Sequence, residues 1–369
     1  MSALPDFADV RDRRIADDVC DGIAAVLLGT GVVGGALLRL LATPAGAGVR
    51  LVGVANSKRQ LVDASGLDAQ TGAAALAAAD AGRSDAALLA ALDRSGAARR
   101  IVIDATASTE TAACHADWLA AGYDIVTANK AAAAAPTKAW NALRDVCDRG
   151  LAYADAATVG AGLPALSTLR RLRACGDALI ALEGVFSGSL SWLFNQYDGR
   201  RPFSALLREA HAFGYTEPDP RADLCGADVV RKLVILARAS GHTLDAEDVE
   251  NEGLVPASLA DIDVPAFLAR AGEIDEAIEH RRVVAATQGR VLRHLAALDE
   301  NGNARVGLVA VAPDHPATRL AGTDNLFVVT TQRYRARPLV IQGPGAGAEV
   351  TAQALLGDLL SLRAVRFVA

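Results

Sequence analysis

Short apolar runs alternate with helix-forming segments along the first 155 residues of the chain. Four of these runs have the length and composition of buried strands, at residues 23–28, 49–54, 100–105 and 123–128. An alanine-rich stretch, residues 63–100, is predicted to be mostly helical before the third run begins. This alternation predicts an α/β fold for the first part of the chain.

A glycine-rich turn separates the first predicted strand from the first predicted helix. The sequence Gly29-Thr-Gly-Val-Val-Gly34 follows the strand, and a helix-forming segment follows the turn. Strand, GxGxxG and helix in this order form the dinucleotide fingerprint. Its glycines permit a tight turn and let the backbone approach a pyrophosphate at the helix N-terminus. We therefore expect a Rossmann-type domain in which Gly29, Gly31 and Gly34 contact a dinucleotide.

The residues after the second predicted strand indicate which dinucleotide is bound. A site that prefers NAD(H) carries an acidic residue about 20 residues after the fingerprint, where it binds the ribose hydroxyls. This chain has Asn56-Ser-Lys58-Arg59 at that point. Two cations and no acidic residue favour the 2′-phosphate of NADP(H), with Lys58 and Arg59 as its ligands. The alternative is a solvated basic loop.

Polar residues also follow the next two predicted strands. Thr106 comes after residues 100–105, and Asn129 and Lys130 come after residues 123–128. Because ligands of open α/β sheets bind at the carboxyl ends of strands, we expect Thr106 and Lys130 at the cofactor crevice. For Lys130, an ordinary solvated lysine is the alternative.

The second half is organised around residues 214–232, GYTEPDPRADLCGADVVRK. Its two prolines fix their own φ and keep the residues before them out of the helical region. Glu217 and Asp219 are therefore expected on an extended segment. We expect Asp223 to cap the helix that follows, and Gly241 to end that helix.

This helix carries its charges on two different faces. Asp228 and Lys232 are i,i+4 neighbours on a line that continues into apolar Ile235, whereas Arg231 and Arg238 share another face, expected to be solvated. A carboxylate and an ammonium group on the buried side are costly unless paired, and such groups are often retained for function. From these residues alone, a catalytic pair and a structural ion pair remain equally good interpretations.

Three glycine-containing segments complete the second half. Residues 156–172 are expected to form a strand, a glycine turn and a helix, with the backbone around Gly160-Ala-Gly162 exposed to a ligand or an ion. Ser187-Gly-Ser189 is a small polar centre inside an apolar run. Residues 338–347 are predicted to form a strand and a glycine turn, and helix 350–362 to return and cover the cofactor. For this last junction, an ordinary αβ turn is the alternative.

Composition narrows the partners and the compartment. The 369 residues carry a net charge of −6 and no Lys/Arg tract, which argues against nucleic acid and anionic membrane as partners. No apolar run reaches the ~18 residues of a membrane span, and the charged N-terminus lacks the apolar core of a secretory signal. Five scattered cysteines without a CxxC pair indicate a reducing cytoplasm and no structural zinc. We expect a cytoplasmic protein.

Taken together, the motifs resemble those of the homoserine dehydrogenase family. From about residue 23 to residue 362 the chain contains, in the family's order, GTGVVG, GVANSK, TANK, TVGAGLP, SGSLSWLF, GYTEPDPRADLCGADVVRKL and GPGAGAEVTA. The resemblance is strongest to the dehydrogenase part of the bifunctional aspartokinase–homoserine dehydrogenases. We expect neither a kinase domain before this region nor a regulatory ACT domain after it.

The resemblance implies a reaction and an assembly. The reaction is the reversible, NAD(P)H-dependent reduction of L-aspartate 4-semialdehyde to L-homoserine, a step in the biosynthesis of threonine, methionine and isoleucine. The assembly is a homodimer or a dimer of dimers, which we also expect from the apolar segments at residues 165–172 and 350–362.

The implied fold is a Rossmann-type nucleotide domain followed by an α+β substrate and dimerization domain with a mixed sheet. We accordingly expect a nucleotide domain at residues 1–155, in which residues 1–22 are an N-terminal extension. The substrate domain is expected at residues 156–337, and residues 338–369 are expected to return to the nucleotide domain.

Roles for individual residues also follow from the resemblance. The residues expected to contact the cofactor are Thr30, Gly31, Val32, Val33, Thr106, Lys130 and Gly347. The residues expected to contact or surround the substrate are Glu217, Asp228, Lys232, Thr158, Gly188, Ser189 and Asp223. A sodium ion is expected on the backbone carbonyls of Val159, Ala161 and Leu163, although a ligand position that is acidic in some members is Ala156 here.

The implied chemistry depends on three charged groups. Hydride addition to the aldehyde carbon develops negative charge on the oxygen, which a nearby cation stabilises and an acid then protonates. Lys232 is the expected acid, with Asp228 orienting it and Lys130 as a second cation. Two alternatives remain: an NADP-dependent dehydrogenase acting on a sugar or a different semialdehyde, and a non-catalytic NADP-binding sensor. The other dehydrogenase would need no cluster of carboxylates to bind a substrate ammonium group. The sensor would not need Lys130, Asp228 and Lys232 to be intact.

Overall fold

The computed structural model describes residues 22–364. These residues form two six-stranded sheets, one after the other along the chain. The strands of the first sheet are β1 (Ile23–Leu28), β2 (Val49–Ala55), β3 (Gln60–Val62), β4 (Arg99–Asp104), β5 (Asp124–Thr127) and β6 (Tyr153–Ala154). Its helices are α1 (Val32–Leu41), α2 (Gly72–Ala78), α3 (Asp85–Arg94), α4 (Thr109–Ala113), α5 (His115–Ala120), α6 (Lys130–Ala133) and α7 (Thr137–Cys147). The predicted extension, apart from residue 22, lies outside the described residues.

The strand order of the first sheet is β3-β2-β1-β4-β5-β6, and only the β2–β3 pair is antiparallel. Every residue of β1 is buried, as expected for a central parallel strand covered on both faces. Its alternate side chains enter different clusters: Leu27 packs with α1, and Val26 packs with Leu88 of α3. This is the Rossmann-type arrangement that the glycine turn predicted.

The second sheet is built from the rest of the chain. Its strands are β7 (Leu179–Val185), β8 (Glu250–Asn251), β9 (Val291–Asp299), β10 (Ala304–Val311), β11 (Asp324–Thr331) and β12 (Leu339–Pro344). The helices of this part of the chain are α8 (Ala165–Ala174), α9 (Gly188–Gln196), α10 (Phe203–Ala212), α11 (Arg221–Leu224), α12 (Ala227–Ser240), α13 (Val264–Arg270), α14 (Asp275–Thr287) and α15 (Ala348–Ala364). The order β12-β11-β7-β9-β10-β8 is antiparallel except between β10 and β8, which confirms a mixed sheet.

The returning segment divides between the two sheets. Strand β12 pairs with β11 in the second sheet, whereas α15 packs against α1 on one face of the first sheet. Leu355 and Leu359 of α15 are fully buried in the same cluster as Leu27 of β1. The chain therefore returns at α15, after the strand, and not at residue 338.

The strand predicted after residue 156 is wrong. Residues Ala156–Thr158 form a 3₁₀ turn, and the preceding strand is the two-residue β6. Side chains and backbone close this turn: the Asp358 carboxylate accepts a hydrogen bond from the Ala156 amide at 2.9 Å, and the Thr158 hydroxyl donates to the Asp155 carbonyl at 2.7 Å. Asp358 lies on α15, about two hundred residues away, so the local pattern could not indicate this contact.

Within residues 22–364, no helix combines the length and the apolar character that crossing a membrane would require.

Candidate active site

The glycine turn presents its backbone to open space. Gly31 is the N-cap of α1 and has no side chain to satisfy the free N–H groups of the first turn. A Cβ built on Gly31 would meet nothing within 4 Å, whereas one on Gly34 would lie 1.9 Å from the Gly29 carbonyl oxygen. Gly34 is thus required by the contact between turn and helix, and Gly31 leaves room for a ligand. Thr106 lies against the same turn, because its methyl group would be 2.9 Å from a Cβ on Gly29.

A buried hydrogen-bond network fixes the position of Lys130. Asn129 caps α6 by accepting from the Ala131 amide, and its side-chain amide donates to the Asp104 carboxylate at 3.0 Å. The same carboxylate also contacts the ring of His115 at 3.0 Å and accepts a hydrogen bond from the Thr106 amide at 2.8 Å, and both Asp104 and His115 are fully buried. The backbone from which Lys130 extends is therefore held rigidly. Asn129 was expected after a predicted strand, but no local pattern indicated that Asp104 and His115 support it.

Helix α12 brings two charged groups to the same place. Lys232 Nζ lies 2.9 Å from Asp228 Oδ2 and donates to the Phe186 carbonyl at 2.7 Å. Lys130 Nζ, which comes from the first sheet, lies 3.5 Å from the other oxygen of Asp228. One carboxylate therefore lies between two ammonium groups from different parts of the fold. The i,i+4 spacing predicted the Asp228–Lys232 pair, but no local signal identified Phe186 as a partner.

The pKa values of this cluster follow from burial and charge. Burial raises the pKa of the Asp228 carboxyl, but Lys232 and Lys130 outweigh that effect and bring it down to about 2. Burial lowers the pKa of the Lys130 ammonium, and Asp228 only partly offsets this. Asp228 is therefore ionised at any physiological pH, and Lys130 releases its proton more readily than an ordinary lysine.

A cavity of about 450 Å³ opens beside Asp228. Its lining includes four carboxylates, Glu217, Asp219, Asp223 and Asp228, with Arg231 as the lining cation. Asp219 is engaged by the guanidinium of Arg221 at 2.8 Å, and Arg221 also donates to the carbonyls of residues 259, 260 and 262. That contact anchors the proline-containing segment, so Glu217 and Asp223 remain as the carboxylates available to a cationic ligand.

The predicted role of Asp223 as a helix cap is wrong. Asp223 lies in the one-turn helix α11, and the longer helix α12 begins after Gly226, whose φ of +75° is left-handed. The Asp223 carboxylate accepts hydrogen bonds from the Ser189 hydroxyl at 2.7 Å and from the Glu217 amide at 2.8 Å. Burial raises the pKa of Asp223, and these two hydrogen bonds partly offset the rise. It therefore joins the serine turn to the Glu217 segment.

The prediction that Arg231 and Arg238 share a solvated face of α12 is confirmed for Arg231 and wrong for Arg238. Arg231 is exposed, but Arg238 is 7% exposed and donates to the carbonyl of Ala133 at 2.7 Å. Its guanidinium also pairs with Asp245 at 3.0 Å. The helical wheel placed Arg231 and Arg238 together, but Ala133 of α6 and Thr137 of α7 lie against Arg238.

The remaining predicted residues do not all contact the cluster of Asp228, Lys130 and Lys232. Thr158 is buried and bonds its own turn, while Gly188 and Ser189 begin α9 beside Asp223. Lys58 and Arg59 are exposed after β2, and the Arg59 guanidinium donates to the Ala77 carbonyl.

Two further predicted groups lie near the start of α15. Gly347 precedes the helix with a φ of +132°. Val159, Ala161 and Leu163 lie in the turn before α8, where Ala161 has a φ of +51°, an uncommon conformation for a residue with a side chain. A Cβ on Gly162 would be 3.0 Å from the Val350 carbonyl, so this turn packs against α15.

The chain matches two family models along most of its length. A model described as homoserine dehydrogenase matches residues 164–360, and one described as homoserine dehydrogenase, NAD binding domain, matches residues 29–151. The bifunctional aspartokinase/homoserine dehydrogenase 2 of Escherichia coli K12 is 39% identical over 345 residues, which cover 91% of this chain and 43% of that protein. The chain therefore spans less than half the length of such bifunctional relatives.

A shorter relative and two solved structures match as well. The homoserine dehydrogenase of Schizosaccharomyces pombe is 38% identical over 271 residues, covering 71% of this chain and 72% of that protein. A Candida auris protein of unknown function has a TM-score of 0.85 at 33% identity, covering 92% of this chain and 98% of that one. A hyperthermophilic archaeal homoserine dehydrogenase in complex with NADPH has a TM-score of 0.70 at 19% identity, with coverage of 92% and 98%, and so shares the fold.

Proposed function

This chain belongs to the homoserine dehydrogenase family, and we propose that it catalyses the reversible reduction of L-aspartate 4-semialdehyde to L-homoserine with NADPH. The observation that carries the proposal is the contact of Asp228 with both Lys130 and Lys232, beside an acidic cavity. This reaction is a step in the biosynthesis of threonine, methionine and isoleucine. The glycine turn fits a dinucleotide, because Gly31 leaves open space at the N-terminus of α1.

Lys232 is the proposed acid. A bound nicotinamide would supply the hydride, and the protein must then stabilise and protonate the oxygen that becomes negative. The Lys232 ammonium has three N–H donors, of which Asp228 and the Phe186 carbonyl accept two. The third donor can point to a substrate oxygen. Asp228 fixes the direction of the ammonium group, and Lys130 adds a second positive charge at the same carboxylate.

The acidic cavity is the proposed site for the α-ammonium group of the substrate. Glu217 is exposed, and Asp223 is held at the Glu217 amide, so two carboxylates face the cavity next to Asp228. A charge-assisted contact of an ammonium group with these carboxylates discriminates against an analogue that lacks the charged group.

The test compares L-homoserine with 4-hydroxybutyrate, which differs by the missing amino group. We expect kcat/KM to be at least about 10²-fold lower for 4-hydroxybutyrate, and Glu217→Gln to reduce this preference. Equal kcat/KM values for the two alcohols would instead favour a dehydrogenase of a different substrate class.

Cofactor preference is proposed to depend on Lys58 and Arg59. No acidic residue follows β2 at this point, and both side chains are exposed in the loop after that strand. In the double variant Lys58→Ala/Arg59→Ala, we expect KM to rise more for NADPH than for NADH, because only NADPH offers the phosphate. The measurement is steady-state kinetics with each cofactor, and equal increases would contradict the assignment.

A sodium ion is proposed on the carbonyls of Val159, Ala161 and Leu163. Support comes from the left-handed backbone at Ala161, which turns this segment sharply before α8. Backbone carbonyls are hard oxygen ligands suited to such a cation. The ion would hold this turn, which packs against α15 where Gly162 meets Val350.

A homodimer or a dimer of dimers is also proposed, but the two apolar segments that suggested it in the sequence do not support it. The segments at 165–172 and 350–362 bury their apolar side chains within this chain, including Leu169 on α8 and Leu355 on α15. What supports association is β12, an edge strand of the second sheet with Val340 50% exposed. We expect light scattering at micromolar concentration to give at least twice the monomer mass of 38.1 kDa, and a monomer would contradict this.

A further inference from the structure

A second cavity, of about 470 Å³, lies between α7, α8 and the C-terminal end of α12. It shares no lining residue with the acidic cavity beside Asp228. Its volume falls within the range of about 300–1,000 Å³ that is common for small-molecule sites. The lining includes four arginines, Arg144, Arg170, Arg173 and Arg238, and its only carboxylate is Asp148. The cavity is therefore opposite in charge to the candidate active site.

Two of these arginines have carboxylate partners and two do not. Arg170 pairs with buried Asp155 at 2.6 Å, and Arg238 pairs with Asp245 at 3.0 Å. Within residues 22–364, neither Arg144 nor Arg173 has a carboxylate oxygen within 4.0 Å. Two guanidinium groups thus face the cavity with their charge uncompensated.

The uncompensated groups are nevertheless held in place. The Arg144 guanidinium lies over the ring of Trp140, 5.8 Å from its centroid. The Arg173 side chain packs against Gly241, where an added Cβ would be 2.9 Å from its Nε. Gly241 has a φ of +102°, so glycine is favoured here both by the helix end and by the arginine.

We propose that this cavity binds a small anion carrying at least two phosphate or carboxylate groups. Arginine presents a rigid fork of N–H donors that matches both groups, and two such forks can each engage one end of the ligand. Burial lowers the pKa of Arg238, and Asp245 only partly offsets this. The aromatic ring of Trp140 also lines the cavity and lies beneath the guanidinium groups of Arg144 and Arg238.

The cavity is connected to the position of Lys130. Arg238 donates to the carbonyl of Ala133, the last residue of α6, and Lys130 is the first residue of that helix. Tyr153, which also lines the cavity, lies 3.3 Å from His115 Nδ1 through its hydroxyl. Substitution of Arg238 would therefore disturb the active-site cluster directly, so the test uses the two arginines that make no such contact.

The experiment is isothermal titration of the full chain, saturated with NADPH, at low ionic strength. Pyrophosphate and succinate are the two probes, which separate phosphate from carboxylate recognition. The test variant is Arg144→Gln/Arg173→Gln. The matched control is Arg171→Gln, because Arg171 is an exposed arginine on the same helix as Arg173 but outside the cavity lining. We expect saturable binding of at least one probe to the unsubstituted protein and to the control.

In the test variant, we expect the Kd of that probe to rise by at least about tenfold, since charge-assisted contacts to two guanidinium groups are lost. Should a probe bind equally to the test variant, it occupies another site, and the proposal is overturned. Absence of saturable binding of both probes at millimolar concentration overturns it as well. Because the readout is binding, its failure is distinguishable from failure of the proposed reaction.

Discussion

Lys232→Ala is expected to lower turnover by about 10²–10⁴-fold while NADPH binding remains unchanged. Lys232 is 9% exposed and its ammonium group bonds Asp228 and the Phe186 carbonyl, so it is positioned before a substrate arrives. Loss of a positioned acid accounts for that range, and loss of a cation beside the developing alkoxide could add a comparable factor. The contacts of Lys232 lie in the second half of the chain, away from the glycine turn.

The measurements are kcat for semialdehyde reduction and NADPH affinity by fluorescence titration. Lys130→Ala is the informative companion, because Lys130 follows β5 at the cofactor side and should affect binding as well as turnover. Retention of more than about a tenth of kcat by Lys232→Ala would lie far outside the expected loss. Lys130 or a water molecule would then be the better acid, and the Asp228–Lys232 contact would be a structural ion pair.

Asp228→Asn is expected to give an intermediate loss of turnover and a displaced pH profile. The carboxylate has a pKa of about 2 and is ionised throughout the working range, so its removal deletes a full charge. Burial already lowers the pKa of Lys130, and Asp228 opposes that effect. Without Asp228, the charged form of Lys130 loses its counter-ion and its pKa falls further.

Reduction requires a protonated acid, so its rate falls as pH rises through the pKa of the lysine that supplies the proton or charge. We therefore expect the alkaline limb of the kcat profile to move to lower pH in Asp228→Asn. Asp219→Asn is the matched control, because it removes a charge from the same cavity but its carboxylate is engaged by Arg221. Identical alkaline limbs in Asp228→Asn and the unsubstituted protein would show that neither lysine near Asp228 controls the rate.

The sequence predicted those features that depend on neighbours in the chain. The glycine turn, the buried strand before it and the i,i+4 pair of Asp228 and Lys232 are local patterns, and the structure contains each of them. The end of α12 at Gly241 could also be predicted from the local sequence, because glycine readily adopts the left-handed conformation that ends a helix.

The errors concern contacts between distant segments. Arg238 was placed on a wet face because the helical wheel does not show that α6 and α7 cover it. Asp223 was assigned as a cap because its partners, Ser189 and the Glu217 amide, could not be identified from spacing. Likewise, the Phe186 carbonyl at Lys232 is a backbone group, which no residue type signals.

The most direct test of the proposed reaction is incubation of the purified protein with L-homoserine and NADP⁺ while the absorbance of reduced nicotinamide is recorded. The account predicts steady NADPH formation that requires both compounds and yields L-aspartate 4-semialdehyde. A protein that binds NADPH but forms none from L-homoserine, under conditions where Lys232→Ala is indistinguishable from the unsubstituted chain, would contradict it and favour a non-catalytic cofactor-binding role.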